Sequence, residues 1–275
     1  MEDTINQMDI SDKSKKVYLS LIKRLDKDKF KFPLKTPEKD KYITEFLESY
    51  PKYSTKLDLL NIIIVIRNAK DLKTDKLKEL RKIFQKNRIN NNVETMQDKK
   101  KDLITLEVFN EELDKAYSQE KWGTFIVNFL WINYGTRNKD MDIEIVKSKK
   151  AMKEHPEDNY LHIGKTSVTW YRNTYKTVAS YGKKSHIITD ERFMNAVNKE
   201  GLGKILSAGQ IGNALRKHQI AGMSEADVFK MLIDSSYVKQ DTENINKLSQ
   251  SRGTNIETIL NFYNINKKQD IIREI

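Results

Sequence analysis

The spacing of apolar residues changes along this chain, and that change constrains the fold more than any other feature of the sequence. Residues 1–90 carry apolar side chains three and four positions apart, as amphipathic helices do. Residues 142–189 contain short segments in which apolar and polar residues alternate, as in half-buried strands. Helical spacing returns after residue 190. We therefore predict a mainly α-helical protein with one small antiparallel β-sheet.

Four helices are predicted in the first part of the chain. Each is preceded by residues that cap or open helices: Ser11, Thr36-Pro37, Ser54 and Thr74. The stretch that follows is densely charged and has few apolar residues, which is typical of a linker. We predict a helical bundle domain over residues 1–90, a linker over 91–103 and a second domain over 104–275.

The second domain is predicted to combine short strands with further helices. The predicted strands cover residues 142–146, 160–163, 168–172 and 185–189. The predicted helices cover residues 106–117, 122–134, 190–197, 207–219, 224–237, 242–249 and 256–263.

An excess of basic residues indicates a polyanionic partner. Lys and Arg outnumber Asp and Glu by 50 to 39, which gives a formal net charge of +11. Such a surface attracts nucleic acid because bound phosphates release condensed counterions. The absence of cysteine excludes disulfides, thiolate metal sites and cysteine nucleophiles. The longest apolar run, residues 62–66, is too short to span a membrane, so we expect a soluble, intracellular protein without a membrane partner.

Two patterns imitate ligand sites. Gly164-Lys165-Thr166 is similar to the end of a phosphate-binding loop, but it lacks the earlier glycine and precedes a predicted strand rather than a helix. Asp140, Asp142 and Glu144 alternate along the chain, and carboxylates on one strand face could hold Mg²⁺ for phosphodiester chemistry. A solvated strand face is the interpretation that we prefer, and we predict neither a metal nor another cofactor.

Phosphodiester transfer without a metal requires a nucleophile, cations that neutralise the non-bridging oxygens and an acid that protonates the leaving 5′-oxygen. Arginines suit the second task because guanidinium groups bind phosphate bidentately. Four segments supply such groups in order along the chain: Gly135-Thr-Arg137-Asn-Lys-Asp140, Asn173-Thr-Tyr-Lys176-Thr, Asn213-Ala-Leu-Arg216, and Leu248-Ser-Gln250-Ser-Arg252 followed by Tyr263.

In this order, the segments resemble the first arginine box, the β-hairpin lysine, the His-x-x-Arg box, the Leu-Gly-His box and the nucleophilic tyrosine of the tyrosine recombinases. With the N-terminal helices, the resemblance covers nearly the whole chain. The composition is most similar to integrases of viruses and mobile elements. The resemblance implies a two-domain clamp, with the helical domain on one face of double-stranded DNA and the catalytic domain on the other, and a homotetramer across two duplexes.

The resemblance also implies residue roles. Tyr263 would attack the scissile phosphate and form a 3′-phosphotyrosine, while Arg137 and Arg216 would clamp that phosphate. Lys176 would protonate the leaving oxygen, and Asp140 would orient an arginine.

Two positions depart from the family pattern, since Asn213 and Gln250 stand where the family has histidine. Their amides can donate hydrogen bonds to a phosphate oxygen but cannot shuttle a proton near neutral pH, and Arg252 is a further candidate donor. Three functions stay open. We favour a site-specific recombinase or integrase; the alternatives are a type IB topoisomerase and a catalytically impaired DNA-binding protein.

Two residue assignments also keep alternatives. Tyr237 is the other candidate nucleophile, although it precedes the segment that contains Gln250. The proposed proton donor, Lys176, has three competitors in the same region: Lys165, Lys183 and Lys184.

Overall fold

The computed structural model of this chain describes residues 1–31, 38–100, 102–207 and 209–265; the side chains of residues 13, 38–39 and 93–100 lie outside that description. Within these ranges the protein is mainly helical with a small sheet of five strands. The chain divides into two compact units, Met1–Glu94 and Thr95–Ile275, and each unit has its own apolar core. No helix in the described ranges is both long and apolar enough to cross a membrane.

The described part of the first unit is built from five helices. They are α1 (Glu2–Asn6), α2 (Asp12–Lys27), α3 (Glu38–Glu48), α4 (Tyr53–Asn68) and α5 (Asp75–Lys100). Helix α4 lies at the centre of the core of this unit. Apolar residues cover most of its circumference, and Leu59, Ile62, Ile63 and Ile66 are fully buried. Burial of several such side chains stabilises the unit by about 1.5–3 kcal/mol each.

Helix α2 begins at its predicted capping residue, whereas α4 begins one residue before Ser54 and has Lys52 at its N-cap. Ser11 Oγ accepts a hydrogen bond from Ser14 N at 3.2 Å at the start of α2. The predicted starts at Ser54 and Thr74 fall within one residue of the first residues of α4 and α5. The predicted start at Thr36-Pro37 lies outside the described residues.

The stretch predicted as a linker is largely helical, since α5 continues to Lys100. Residues 87–100 contain neither glycine nor proline, so nothing in the local chain breaks the helix once it has formed. The loss of apolar spacing therefore does not mark the end of the helix. The division between the two units falls inside this helix.

The described part of the second unit contains nine α-helices and a 3₁₀ turn at Asn138–Met141. The helices are α6 (Leu106–Ser118), α7 (Trp122–Tyr134), α8 (Lys149–Glu154), α9 (Val178–Tyr181), α10 (Glu191–Glu200), α11 (Ile211–Arg216), α12 (Glu225–Val238), α13 (Thr242–Arg252) and α14 (Ile256–Phe262). The helix predicted over residues 207–219 is shorter than expected, because only α11 forms there.

The sheet is mixed, so the prediction of an antiparallel sheet is wrong for one strand pair. Its strands are β1 (Ile143–Val146), β2 (Asn159–Ile163), β3 (Val168–Arg172), β4 (Lys184–Ile188) and β5 (Gly203–Lys204), in the order β4-β3-β2-β1-β5. Strands β1 and β2 are parallel, because the connection through α8 carries the chain back to the same end of the sheet. The other three pairs are antiparallel.

The end of α7 requires a glycine. Gly135 has a φ of 56°, in the left-handed region that glycine adopts without strain. A Cβ atom at Gly135 would lie 2.8 Å from Cε2 of Phe229 on α12 and 3.0 Å from Cδ2 of Leu248 on α13. The segment after α7 therefore packs directly against α12 and α13.

Candidate active site

Arg137 follows the glycine turn and connects two distant segments of the second unit. Its backbone N–H donates to Oδ2 of Asp140 at 2.9 Å, which closes the 3₁₀ turn. Its Nη1 donates to the carbonyl oxygen of Arg252 at 2.5 Å, and its Nη2 donates to Oγ1 of Thr254. Burial lowers the pKa of Arg137, and the charge of Arg252 lowers it further.

Arg252, the last residue of α13, is only 2% exposed. Its Nη1 donates to the carbonyl oxygens of Gly135 at 2.7 Å and Thr136 at 3.1 Å. Its Nη2 forms an ion pair with Glu225 and lies 3.3 Å from the hydroxyl oxygen of Tyr263. These contacts commit most of the Arg252 donors to the protein itself.

Tyr263 follows α14 and is half-buried. Its ring makes an edge contact with Phe229 at a centroid distance of 4.8 Å. The Arg252 guanidinium lies 3.9 Å from the centroid of Phe229 and 5.1 Å from that of Tyr263. The phenol oxygen is therefore held beside a buried cation, while the ring packs against the core.

The cluster of side chains around Arg137, Arg252 and Tyr263 also contains Arg172, at the end of β3. Arg172 was not among the predicted site residues. Its Nη2 forms a 2.7 Å ion pair with Oδ2 of Asp140, and both side chains are fully buried. Its Nη1 donates to the carbonyl oxygen of Ser251 at 2.7 Å. The alternation of β3 contains the signal for this position, since Arg172 shares the buried face of Val168 and Trp170.

The four candidate lysines differ in their surroundings. Lys184, the first residue of β4, donates from Nζ to the carbonyl oxygens of Gln250 and Ser251. Burial lowers its pKa, and the charge of Arg172 lowers it further. Lys183 pairs with Glu157 at 3.2 Å. Lys176 is exposed in the connection between β3 and β4, and Lys165 is exposed in the turn between β2 and β3.

The predicted residues of α11 lie near this cluster without joining it. Arg216 and Asn213 are both exposed, and α11 packs against the 3₁₀ turn that follows Arg137. Among the described residues, neither side chain forms a hydrogen bond or an ion pair. Gln250 is also exposed, and it contacts Lys184 through its backbone carbonyl.

The three carboxylates considered as a metal site have different surroundings. Asp140 is buried against Arg172, whereas Asp142 pairs with Lys204 at 3.1 Å. Glu144 lies on β1 and is partly buried. In the described ranges no group of three histidine or carboxylate side chains is arranged to hold a metal ion. The alternative nucleophile, Tyr237, lies in the last turn of α12 and lines a groove with Ile256 and other residues.

The cluster has an excess of positive charge at one place in the second unit. Arg137, Arg172, Arg252 and Lys184 surround two carboxylates, those of Asp140 and Glu225. Among the guanidinium groups, that of Arg137 keeps N–H donors that the protein does not use, and such donors bind phosphate through charge-assisted hydrogen bonds. The arrangement can therefore attract a phosphate to the neighbourhood of the Tyr263 hydroxyl.

Comparisons with known proteins find similarity to solved structures but not to a family or a curated protein. No family model matches the sequence, and no curated protein matches it. Two solved chains match the fold. One is the crystal structure of XerA recombinase, which is similar to 99% of this chain over 95% of its own length, at 11% sequence identity and a TM-score of 0.39.

Proposed function

We propose that this protein is a site-specific DNA recombinase or integrase that cleaves and rejoins DNA through a 3′-phosphotyrosine at Tyr263. The observation that carries the proposal is the position of the Tyr263 hydroxyl, 3.3 Å from Nη2 of Arg252. The backbone carbonyl of Arg252 in turn accepts a bond from Arg137. A phenol beside two arginines from separate segments has the parts that metal-independent phosphoryl transfer requires.

The proposed reaction exchanges one phosphodiester for another. The Tyr263 oxygen loses its proton and attacks the phosphorus, the bond to the 5′-oxygen breaks, and Lys176, the proposed acid, protonates that oxygen so that it leaves as a hydroxyl. Attack by a 5′-hydroxyl on the phosphotyrosine reverses the steps and releases the enzyme. Because the covalent bond conserves the phosphodiester energy, ATP is not required, and the arginines would neutralise the charge that a metal neutralises in other phosphoryl-transfer sites. Recombination would join two duplexes in a homotetramer.

The contacts support different roles for the two arginines. A guanidinium group has five N–H donors, and Arg137 uses two of them within the protein. The remaining donors can bind a non-bridging oxygen of the scissile phosphate. Arg252 is buried and donates to the backbone carbonyls of Gly135 and Thr136, so we propose that it holds Tyr263 and the turn after α7 in place.

Residues on α11 would complete the phosphate site. Arg216 and Asn213 are exposed beside the 3₁₀ turn that contains Asp140. A cation that has no partner in the described ranges can turn towards an approaching phosphate at little cost. We propose that Arg216 clamps the phosphate and that Asn213 and Gln250 donate amide hydrogen bonds.

The test is a covalent trap that does not need the target sequence in advance. The protein is incubated with a library of nicked duplexes of randomised sequence, so that the cleaved strand diffuses away and the adduct accumulates. Adducts are recovered under denaturing conditions, the DNA is sequenced, and the modified peptide is identified by mass spectrometry. We expect an adduct at Tyr263 that also forms in the presence of EDTA.

The matched variants are Tyr263→Phe and Tyr237→Phe, each of which removes one hydroxyl oxygen. Tyr263→Phe should abolish the adduct and leave DNA binding close to normal, whereas Tyr237→Phe should trap DNA as the wild type does. An adduct that persists in Tyr263→Phe and maps to Tyr237 would assign the nucleophile to Tyr237.

A second candidate function is a catalytically impaired DNA-binding protein of the same kind. The replacement of the two box histidines by Asn213 and Gln250 favours it, since neither amide can transfer a proton at neutral pH. DNA binding without any adduct in the wild-type protein would decide for this function. If adducts form, relaxation of supercoiled plasmid without strand exchange would indicate a type IB topoisomerase.

A further inference from the structure

We infer that Arg172 is a positioning residue of the proposed site, which holds Arg137 and the end of α13 in a fixed mutual arrangement. The inference rests on the proposed function. Oδ2 of Asp140 accepts two hydrogen bonds, from Nη2 of Arg172 at 2.7 Å and from the backbone N–H of Arg137 at 2.9 Å. Arg172 therefore acts on the backbone of Arg137 through one shared carboxylate oxygen.

The second terminal nitrogen of the Arg172 guanidinium bonds to the end of α13. Its Nη1 donates to the carbonyl oxygen of Ser251 at 2.7 Å. The next residue, Arg252, accepts a hydrogen bond from Nη1 of Arg137 through its own carbonyl oxygen at 2.5 Å. The contacts form a closed ring from Arg172 through Asp140, Arg137, Arg252 and Ser251 back to Arg172.

Packing fixes the Arg172 side chain itself. Its guanidinium carbon lies 5.0 Å from the ring centroid of Trp170 and 4.8 Å from that of Tyr175. Both Arg172 and Asp140 have no solvent-exposed side-chain surface, so Arg172 cannot contact a DNA phosphate directly. An effect of Arg172 on catalysis must therefore act through the residues that it holds.

A purely structural role and a positioning role predict different kinetics. A structural residue lowers activity in proportion to the fraction of protein that unfolds, whatever the residue at position 137. A positioning residue lowers the rate of the folded protein, and the loss depends on the guanidinium that it positions. A double-mutant cycle between Arg172 and Arg137 separates these cases.

The first variant is Arg172→Met, which keeps an extended side chain between the two rings. The matched control is Arg192→Met, because Arg192 also forms a 2.7 Å ion pair, with Asp114, and packs against the rings of Tyr117 and Phe125. The measurements are the first-order rate of adduct formation at saturating trapped DNA, the DNA affinity, and the folded fraction by circular dichroism. All three measurements are made on each variant in two backgrounds, the wild type and Arg137→Lys. Arg137→Lys keeps the positive charge at position 137, and we expect it to keep a measurable rate.

We expect Arg172→Met to slow adduct formation by about 100-fold, the loss that a misplacement of roughly 1 Å can cause, with little change in DNA affinity. In the Arg137→Lys background the further loss should be much smaller, and Arg192→Met should match the wild type in both backgrounds. Arg172→Lys keeps the charge beside Asp140 but replaces the planar guanidinium, whose two nitrogens bond Asp140 and Ser251 separately, with a single nitrogen, so its rate should be intermediate. Equal losses in both backgrounds, or a loss that follows the folded fraction, would overturn the inference.

A second measurement distinguishes failure of this inference from failure of the proposed function. Hydrogen exchange of the Arg137 amide in the protein without DNA reports its bond to Asp140 directly. We expect faster exchange in Arg172→Met and unchanged exchange in Arg192→Met. A wild-type protein that forms no adduct rejects the proposed function, and unchanged exchange of the Arg137 amide in Arg172→Met rejects the positioning role.

Discussion

The guanidinium groups of Arg252 and Arg137 differ in how many N–H donors they keep for a ligand. Arg252 is held by backbone carbonyls, by Glu225 and by the rings of Phe229 and Tyr263. Arg137 is half-buried and keeps donors that the protein does not use. Charges with satisfied partners tolerate burial, whereas an unpaired buried charge is costly. The cluster therefore separates a cation that supports the turn from one that can meet a phosphate.

The proton donor is the residue assignment that most needs a chemical test. Lys176 is the proposed donor, and Lys184 competes because its contacts and its lowered pKa suit an acid that gives up a proton. Replacing the bridging 5′-oxygen with sulfur removes the need for an acid, since a thiolate leaves without a proton. We expect Lys176→Ala to cleave an ordinary duplex very slowly and a 5′-bridging phosphorothiolate at close to the wild-type rate.

The same pair of substrates provides the controls. Arg137→Ala and Arg216→Ala should stay slow on both substrates, because their proposed task is charge stabilisation. If Lys176→Ala cleaves ordinary DNA normally while Lys184→Ala shows the recovery with sulfur, the donor is Lys184.

Two histidines, the buried His218 and the partly buried His186, make the stability of the second unit sensitive to pH. Burial, with the nearby charges of Arg172 and Lys184, lowers the pKa of His186 from 6.5 to about 4. Burial, with the charge of Lys217, lowers that of His218 from 6.5 to about 4. Between these values the unfolded chain binds more protons than the folded protein, so the free energy of unfolding falls as the pH falls from 6.5 to 4. Below that range the two histidines contribute no further change.

We expect His186→Phe to weaken this pH dependence, because it removes one such group. The new ring can keep the contacts with Tyr134 and Trp170, whose centroids lie 4.7 and 5.6 Å from that of His186. Urea unfolding at a series of pH values measures the effect, and His155→Phe, at an exposed position, is the control. A slope between pH 6.5 and 4 that His186→Phe leaves unchanged would contradict the assignment.

At the scale of elements, the end of α13 is closely matched to the connection between β3 and β4. Gly253 has a φ of 62°, and a Cβ atom there would lie 2.5 Å from Oγ1 of Thr177 and 3.3 Å from Cδ2 of Tyr181. Both residues belong to the connection that carries Lys176. The glycine therefore permits a left-handed helix end and a close contact at once.

We expect Gly253→Ala to destabilise the second unit by more than the roughly 1–2 kcal/mol that left-handed backbone alone costs, and to slow adduct formation by displacing the Lys176 segment. Gly222→Ala is the control, because Gly222 also has a positive φ of 70°, while no atom in the described ranges lies within 4 Å of its added Cβ. Urea unfolding followed by tryptophan fluorescence reports the second unit, which contains all three tryptophans. Equal destabilisation by the two variants would show that the contact with Thr177 is unimportant.

At the scale of the whole molecule, the proposal of a two-sided grip on DNA requires that both units bind. The formal net charge of +11 predicts that affinity falls steeply with salt, each neutralised phosphate adding about −0.9 to the log–log slope on duplex DNA. We expect the full chain to show a steeper slope and a higher affinity than residues 1–94 alone. A flat slope, or full affinity of that fragment, would reject a two-sided grip.

The sequence by itself determined several local features of the structure. Ser11 caps α2, and Ser224 with Asp227 forms a capping box at α12, because a cap depends only on neighbouring backbone groups. Alternation located β3 at its observed bounds. The sequence also places Asp140 three residues after Arg137, the spacing at which its carboxylate can accept a hydrogen bond from the Arg137 backbone and close one turn. Each of these features arises within a few residues of chain.

Tertiary structure decided the partners. The parallel pairing of β1 with β2, the burial of Arg172 against Asp140 and the contact of Arg252 with Tyr263 join residues whose spacing in the sequence carries no periodic signal. Their energies depend on which surfaces meet and on how far water is excluded from the charges. The sequence therefore determined which residues could serve a phosphate site, and only the packing of α7, α13 and the sheet decided which partners those cations have and which of their donors stay unused.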